Sequence, residues 1–346
     1  MSLERRTALL WLFVLTLNAV VANAQTKPQS GYHIINEYKL GGEGGWDYLT
    51  LDAKARRLYV SHATHVMVVD ADTGAVVGDI PDTAGVHGIA VAEEAGKGYV
   101  SSGRSSSVTV FDLKTLKTLK QIPVGKNPDA IVYDDASGRV FTMNGGSNDT
   151  TAIDVKTDAV AGTLALGGRP EFAVADGRGH VFANLEDKSA VVEFDSRRLA
   201  VEASWPVAPA EEPSGLAFDG RHRRLFSVGS NKLMAVVNAD TGKVVASLPI
   251  GSGVDAAAFD PETGLVFSSN GEGTLTVVHE DAPDKYSVVG NVTTRRGART
   301  MALDPKTHRV YLVTAEFGPP PAPTPERPHP RPSIVPGSFT LVVVGR

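Results

Sequence analysis

The sequence predicts an all-β protein, a seven-bladed β-propeller made of four-stranded antiparallel blades. The stretch from Asp129 to Gly167 contains four β-type runs separated by turn residues, and each run is too short for a core helix. Similar stretches recur with a period of roughly 40–44 residues, which is typical of four-stranded propeller blades. Seven copies fill the chain, and the apolar spacing of three and four that helical repeats need is absent.

Each copy is aligned by the residue that follows its first strand, which we call the anchor residue. The anchor residues are Asp52, Ala92, Asp134, Asp176, Asp219, Asp260 and Asp304. The second strands, such as 58–61 and 140–142, are rich in β-branched and aromatic residues, as expected for strands. Turns such as 134–138 separate the first and second strands.

The two ends of the chain are predicted to complete one blade together. Residues 32–40 read as an outermost, fourth strand, because the glycine-rich segment after them matches the connection that precedes a new blade. Residues 339–344 match a third strand, after which the chain stops. Pairing of these two segments closes the ring and leaves no blade incomplete.

The first 24 residues are interpreted as a secretory signal peptide. Arg5 and Arg6 precede an apolar run over 7–21, and Ala22-Asn23-Ala24 is a small-x-small cleavage site. The apolar run is shorter than the ~20 residues a membrane span needs. We therefore expect cleavage after Ala24, no membrane span in the mature chain, and a single propeller domain over 25–346 that is periplasmic or secreted.

Several short motifs resemble those of a known family. Tyr59-Val60-Ser61 and Tyr99-Val100-Ser101 are followed by third strands such as Val68-Val69-Asp70, and by turns such as Asp72-Thr73-Gly74 and Asp240-Thr241-Gly242. In these motifs the chain resembles the YVTN-repeat β-propellers of bacteria, which include the YncE-like periplasmic proteins. The resemblance covers roughly residues 32–345 and implies a propeller fold and export. It implies little about activity, because propellers host many unrelated functions.

Composition excludes several classes of site. The chain of 346 residues has no cysteine, which excludes disulfides, zinc thiolate sites and iron–sulfur clusters. The formal net charge is −5 and the basic residues are scattered, whereas a nucleic-acid surface usually shows a basic stripe.

Residues 317–337 form a proline-rich insertion between the second and third strands of the last blade. Its proline content favours an exposed, extended polyproline conformation. Arg327, His329 and Arg331 form a small basic cluster within it. It is expected to be a partner-docking segment or an inert long loop.

A candidate site is predicted at the mouth of the central channel. In a propeller the innermost strands line this channel, so the position five residues before each anchor residue should recur around one ring. The residues at this position are Asp47, His87, Asp129, Glu171, Ser214, Asp255 and Arg299. Trp46 is close enough in sequence to be expected beside them, and His62 belongs to a neighbouring set of residues that stand just after the second strands.

This set of seven residues around the channel mouth has three possible roles. It binds a polar small molecule, it binds a divalent cation, or it is polar because water fills the channel. For a cation, Glu171, Asn144, Asn270 and Asp255 are the proposed ligands, because carboxylate and amide oxygens suit Ca²⁺ or Mg²⁺. His62 or His87 would also permit a transition metal.

We expect an exported binding or scaffold module for a small polar ligand or a cell-envelope partner, and a monomer. The alternative is a metal-dependent enzyme that uses the same ring, by analogy with the propellers of gluconolactonase-like hydrolases and virginiamycin B lyase. The sequence contains no His-Glu-x-x-His or Gly-x-Ser-x-Gly motif. A second alternative is single-stranded DNA binding, reported for some YncE-like propellers, which the acidic charge opposes.

Overall fold

The computed structural model describes residues 30–324, 330 and 332–346, and its strands form seven four-stranded sheets. The predicted all-β propeller architecture is therefore confirmed. No helix among the described residues has the length and apolarity needed to cross a membrane. The predicted signal peptide lies outside the described residues.

The strands follow one another blade by blade. β1 (His33–Lys39) is an outer strand that joins the last blade. Blade 1 contains β2 (Trp46–Asp52), β3 (Arg57–His62), β4 (His65–Asp70) and β5 (Val76–Ile80). Blade 2 contains β6 (Val86–Ala92), β7 (Lys97–Ser102), β8 (Ser107–Asp112) and β9 (Thr118–Pro123). Blade 3 contains β10 (Pro128–Asp134), β11 (Arg139–Asn144), β12 (Asp149–Asp154) and β13 (Ala159–Ala165).

The second half repeats the same order. Blade 4 contains β14 (Pro170–Ala175), β15 (His180–Leu185), β16 (Ala190–Asp195) and β17 (Ala200–Pro206). Blade 5 contains β18 (Pro213–Asp219), β19 (Arg224–Gly229), β20 (Leu233–Asn238) and β21 (Val244–Pro249). Blade 6 contains β22 (Val254–Asp260), β23 (Leu265–Asn270), β24 (Thr274–Ala282) and β25 (Lys285–Thr293). Blade 7 contains β26 (Met301–Asp304), β27 (Arg309–Thr314), β28 (Thr340–Gly345) and β1. Two single-turn 3₁₀ helices, Glu93–Ala95 and Glu186–Lys188, complete the described elements.

The ring closes as the sequence predicted. The first strand of each blade contacts the first strand of the next, and β26 contacts β2, so these strands surround the axis. β1 pairs antiparallel with β28, from His33 opposite Gly345 to Lys39 opposite Thr340. The N–H of Leu40 extends this pairing by donating to the carbonyl of Phe339 at 2.8 Å. The outer strand of blade 7 thus comes from the opposite end of the chain.

The hydrophobic core lies between neighbouring blades. The third residue of every second strand is an aromatic residue with no exposed surface: Tyr59, Tyr99, Phe141, Phe182, Phe226, Phe267 and Tyr311. Burial of a large apolar side chain of this kind stabilises a fold by roughly 1.5–3 kcal/mol. The recurrence of one buried aromatic residue in each blade explains why the repeat is visible in the sequence.

The anchor residues join blades on the face opposite the channel mouth. Arg56 of blade 1 binds the fully buried carboxylate of Asp304 in blade 7 at 2.6 Å. Arg223 of blade 5 binds Asp176 of blade 4 at 2.9 Å. The acidic residue that marks each repeat therefore has a structural role where a basic side chain of the next blade reaches it.

The proline-rich insertion lies between β27 and β28. Its two ends pair with each other, since Gly318 N–H donates to Ser333 O at 2.8 Å and Val335 N–H donates to Glu316 O at 2.9 Å. The basic cluster of Arg327, His329 and Arg331 lies outside the described residues, and the extended conformation expected there stays a prediction.

Candidate functional site

The backbone of the innermost strands aims one residue of each blade at the channel mouth. The predicted ring position is the second residue of β2, β6, β10, β14, β18 and β22, and the pairing of each with its neighbour slips at that point. Such β-bulges turn a side chain away from the regular alternation of a strand. The same local distortion in six blades brings side chains of distant sequence position toward one axis. Arg299 occupies the equivalent place just before β26.

Asp47 lies between two cationic side chains. Its Oδ2 is 2.6 Å from Nδ1 of His87, and its Oδ1 is 3.5 Å from the guanidinium of Arg299. The backbone of Asp47 is held as well, because its N–H donates to Ser61 Oγ at 3.0 Å and its carbonyl accepts from Thr300 Oγ1 at 2.5 Å. Residues of blades 2 and 7 thus both contact Asp47 of blade 1.

Each cationic side chain also reaches a second carboxylate. His87 Nδ1 lies 3.6 Å from Asp129 Oδ1, and Arg299 Nε lies 3.2 Å from Asp255 Oδ2. Glu171 faces Asp129 and Asp255 closely enough for their charges to act on it. We call Asp47, His87, Asp129, Glu171, Asp255 and Arg299 the acidic ring. Ser214, at the seventh position, donates its hydroxyl to the carbonyl of Val254 at 3.2 Å.

Burial and repulsion between carboxylates raise the pKa of three carboxyl groups in the acidic ring. Burial raises the pKa of Asp255 to about 7, although Arg299 opposes the shift. Burial and the neighbouring carboxylates also raise the pKa of both Asp129 and Glu171. Burial opposes the charge on His87, but its bond to Asp47 and the charge of Asp129 raise its pKa. A cation that binds at the acidic ring near neutral pH must therefore displace protons from these carboxyl groups.

Tyr48, which was not among the residues expected at the site, extends across the channel beside the acidic ring. Its ring packs on Phe172 of blade 4, with 5.5 Å between ring centroids. Blades 1 and 4 are three places apart, so this contact spans the axis. Burial, together with the charges of Asp129 and the other acidic-ring carboxylates, holds the Tyr48 pKa well above its ordinary value. The expected channel is thus crossed by an aromatic pair next to the ring.

A sequence signal for this pair existed. The residues that follow the seven ring positions are Tyr48, Gly88, Ala130, Phe172, Gly215, Ala256 and Thr300. Small residues are needed where blades approach closely, since a Cβ added at Gly215 would lie 2.6 Å from the backbone of Ala256. The two large aromatic residues at this position are the two that meet across the channel.

The sequence matches no family model and no curated protein, but solved structures share its fold. The WD40 repeats of RRP9 superpose with a TM-score of 0.73 at 8% identity, covering 92% of this chain and 99% of that one. A chain of the mitotic checkpoint complex gives 0.71 at 14% identity, covering 99% of both. Hydrazine synthase of Kuenenia stuttgartiensis gives 0.67 at 19% identity, covering 78% of this chain and 92% of that one. The fold is a seven-bladed β-propeller. Similarity at these identities shows the propeller fold alone, and the YVTN-repeat assignment stays a prediction.

Trp46 and His62 lie away from the mouth of the propeller, contrary to expectation. His62 is fully buried, stacks on Phe339 at 4.3 Å between centroids, and neither of its ring nitrogens has a hydrogen-bond partner among the described residues. Burial lowers its pKa to about 4. Trp46 packs on Phe317 and Phe339. The bulge that begins after Trp46 separates the two side chains, so Trp46 packs in the interface with blade 7 while Asp47 faces the channel.

Asn144 and Asn270 do not join Glu171 and Asp255 as metal ligands. Both amides are fully buried and use their polar atoms within their own blades. Asn144 Nδ2 donates to Asp149 at 2.6 Å, and its Oδ1 accepts from Thr142 at 2.9 Å. Asn270 makes the equivalent bonds in blade 6. These amides hold hairpins together, and the expected oxygen-ligand set of four is not assembled.

A different group in the propeller has the spacing of a metal site. One ligand atom each from Asp47, His87 and Asp129 lies within 4.8 Å of the others. Two carboxylates and an imidazole suit a transition metal better than the all-oxygen set that the sequence suggested. The fit is incomplete for a tetrahedral site, which needs a fourth ligand such as water.

Proposed function

We propose that this protein is an exported binding module that holds a small positively charged ligand at the acidic ring. Four carboxylates share this site with two cationic side chains, His87 and Arg299, each of which is already divided between two of them. The observation that carries the proposal is Glu171, whose carboxyl group has no ion pair or hydrogen bond with a described residue and faces two further carboxylates. A bound cation would replace the protons that otherwise relieve this repulsion.

The surroundings of the ring support two kinds of cation. A metal ion would use the carboxylates with His87, since Asp47, His87 and Asp129 have suitable spacing. An organic ammonium group would use the carboxylates together with the faces of Tyr48 and Phe172, because aromatic rings attract cations by about 0.5–2 kcal/mol. Export is proposed from the leader-like pattern of the first 24 residues.

Calorimetric titration of the mature chain tests this function. Mn²⁺, Ca²⁺, Mg²⁺ and spermidine serve as probes at pH 8, which lies above the pKa of Asp129 and of Asp255. We expect at least one probe to bind, and Glu171→Gln and Asp129→Asn each to weaken it about tenfold or more. Glu43→Gln is the matched control, because Glu43 is exposed in the connection before β2. The proposal fails if none of the probes binds, or if the ring variants bind as tightly as the control.

A metal-dependent lactonase- or lyase-like enzyme is the second candidate function. In this candidate the carboxylates alone hold the metal, and His87 between Asp47 and Asp129 is free to serve as the general base when neutral. In that case a lactone substrate is consumed in the presence of metal, the reaction stops with chelator, and His87→Gln loses turnover while it still binds spermidine. Single-stranded DNA binding is disfavoured, because the ring carboxylates repel phosphates.

A further inference from the structure

A groove whose lining residues carry more positive than negative charges lies beside β1 and β28, the two strands whose pairing closes the propeller. It is a groove of about 770 Å³ between the β25–β26 connection and blade 7. Small-molecule sites typically have volumes of about 300–1,000 Å³. The groove opens near the ends of β1 and β27 and the start of β28, and it contains none of the acidic-ring residues.

Strands of blade 7 form one wall of this groove. Thr314 of β27 pairs with Thr340 of β28, and Thr340 pairs with Lys39 of β1. The three residues therefore form a row across three neighbouring strands. Lys39 is exposed at the end of this row and has no ion pair with any described residue.

The opposite wall is built around Phe317. The guanidinium of Arg296 lies 5.6 Å from the centre of the Phe317 ring, and Thr314 Oγ1 donates to the Arg296 carbonyl at 2.6 Å. The ring is also held against Gly297, where an added Cβ would lie 2.8 Å from it and where φ is +84°. Trp46 also packs on Phe317, with 6.0 Å between the ring centroids. Thr314 thus holds the backbone of Arg296, and Gly297 and Trp46 hold the ring of Phe317.

The residues that line the groove include three basic and two acidic side chains, so positive charge is in excess. Arg295 is neutralised by Glu37 through two bonds of 2.7 and 2.8 Å. Lys39 and Arg296 keep their positive charges without an ionic partner among the described residues, and Glu316 is the one lining carboxylate there that is likewise unpaired. Two cations, one anion and an aromatic surface remain available to a ligand.

We propose that this groove binds a small organic anion. Its carboxylate or phosphate group contacts Lys39 and Arg296, and its apolar part lies against Phe317. Arg and Lys both bind such anionic groups, Arg with two parallel donors. Because the ligand touches β1, β27, β28 and the connection from blade 6, it holds the closing seam together and stabilises the folded ring by mass action.

Ligand-observed NMR and thermal melts of the mature chain test the inference, with benzoate and phenyl phosphate as probes. The two share an aromatic ring and differ in the anionic group, so their relative affinities identify which anion is preferred. We expect Arg296→Gln and Lys39→Gln each to raise Kd about fivefold or more, and Glu316→Gln to lower it. The exposed Lys243 provides the control Lys243→Gln, which should leave Kd unchanged.

Three results would overturn this inference. One is that neither probe binds or raises the Tm. Another is that Arg296→Gln and Lys39→Gln, with melting curves like that of the wild type, bind as tightly as the control. The third is weaker binding in Glu316→Gln, which would indicate a zwitterion. Glu171→Gln should leave anion binding unchanged, so failure here is distinguishable from failure of the proposed function.

Discussion

The carboxylate of Asp47 lies 2.6 Å from the imidazole of His87, although the two residues are 40 positions apart in the sequence and belong to adjacent blades. Asp47 meets Arg299 as well, 252 positions away, because the last blade is also adjacent to the first. The acidic ring therefore exists only when the propeller is closed. This dependence couples the chemistry of the site to the stability of the fold.

Asp255 should make the protein less stable as the pH rises. Its pKa is about 7 in the folded chain against an ordinary 3.8, so the folded chain binds this proton more tightly than the unfolded chain. The free energy of unfolding should consequently fall between about pH 4 and pH 7. In Asp255→Asn the decrease between pH 5 and pH 8, measured by urea unfolding, should be smaller by about 1–3 kcal/mol. An unchanged pH dependence, equal to that of Glu43→Gln, would contradict this account.

Tyr48 and Phe172 should be energetically coupled across the channel. Tyr48→Ala and Phe172→Ala should each reduce the free energy of unfolding by about 2–4 kcal/mol, because each leaves a cavity at the axis. In a double-mutant cycle measured by urea unfolding, the pair should show a coupling of about 0.5–1.5 kcal/mol. Effects that simply add would show that the two rings do not meet.

Arg56 should be needed mainly because Asp304 is buried. Arg56→Ala leaves the fully buried carboxylate of Asp304 without its guanidinium partner, at a cost of about 3–5 kcal/mol. The double variant Arg56→Ala with Asp304→Asn should recover part of this loss in urea unfolding. Arg178→Ala, at an exposed arginine of another blade, is the control and should change stability little. No recovery in the double variant would show that the ion pair is not the cause.

His62→Phe should stabilise the protein. It removes two buried nitrogens that have no hydrogen-bond partner within the described part of the structure, and a phenyl ring keeps the stacking on Phe339. The expected gain is about 1–2 kcal/mol. Because the pKa of His62 is about 4 in the folded chain against an ordinary 6.5, the wild type should also lose stability as the pH falls from 6.5 to 4. Urea unfolding of both proteins at pH 7 and pH 4.5 measures the two effects, and a less stable variant at both values would refute them.

Side-chain partners were harder to predict than strands. Asp47, His87 and Asp129 were expected to share one ring, because a fixed offset from the anchor residue places them at equivalent points of successive blades, and His87 lies within 3.6 Å of both carboxylates. Trp46 was expected beside them because it adjoins Asp47 in sequence, and His62 because it ends a second strand, but both side chains pack on Phe339 between blades 1 and 7. Asn144 has the composition of a ligand, yet its polar atoms are satisfied within its own hairpin.

The sequence by itself determined the number of blades, the strands within them and the closure by residues 32–40 and 339–344. These features depend on turns and apolar patterns within about 40 residues, and the pattern repeats. Only the tertiary structure decided that Tyr48 meets Phe172, that Glu171 has no ion pair or hydrogen bond with any residue in the described part of the chain, and that Arg296 lies over Phe317. Such contacts join residues from separate blades, and their geometry follows from the bulges and the circular arrangement that no local pattern encodes.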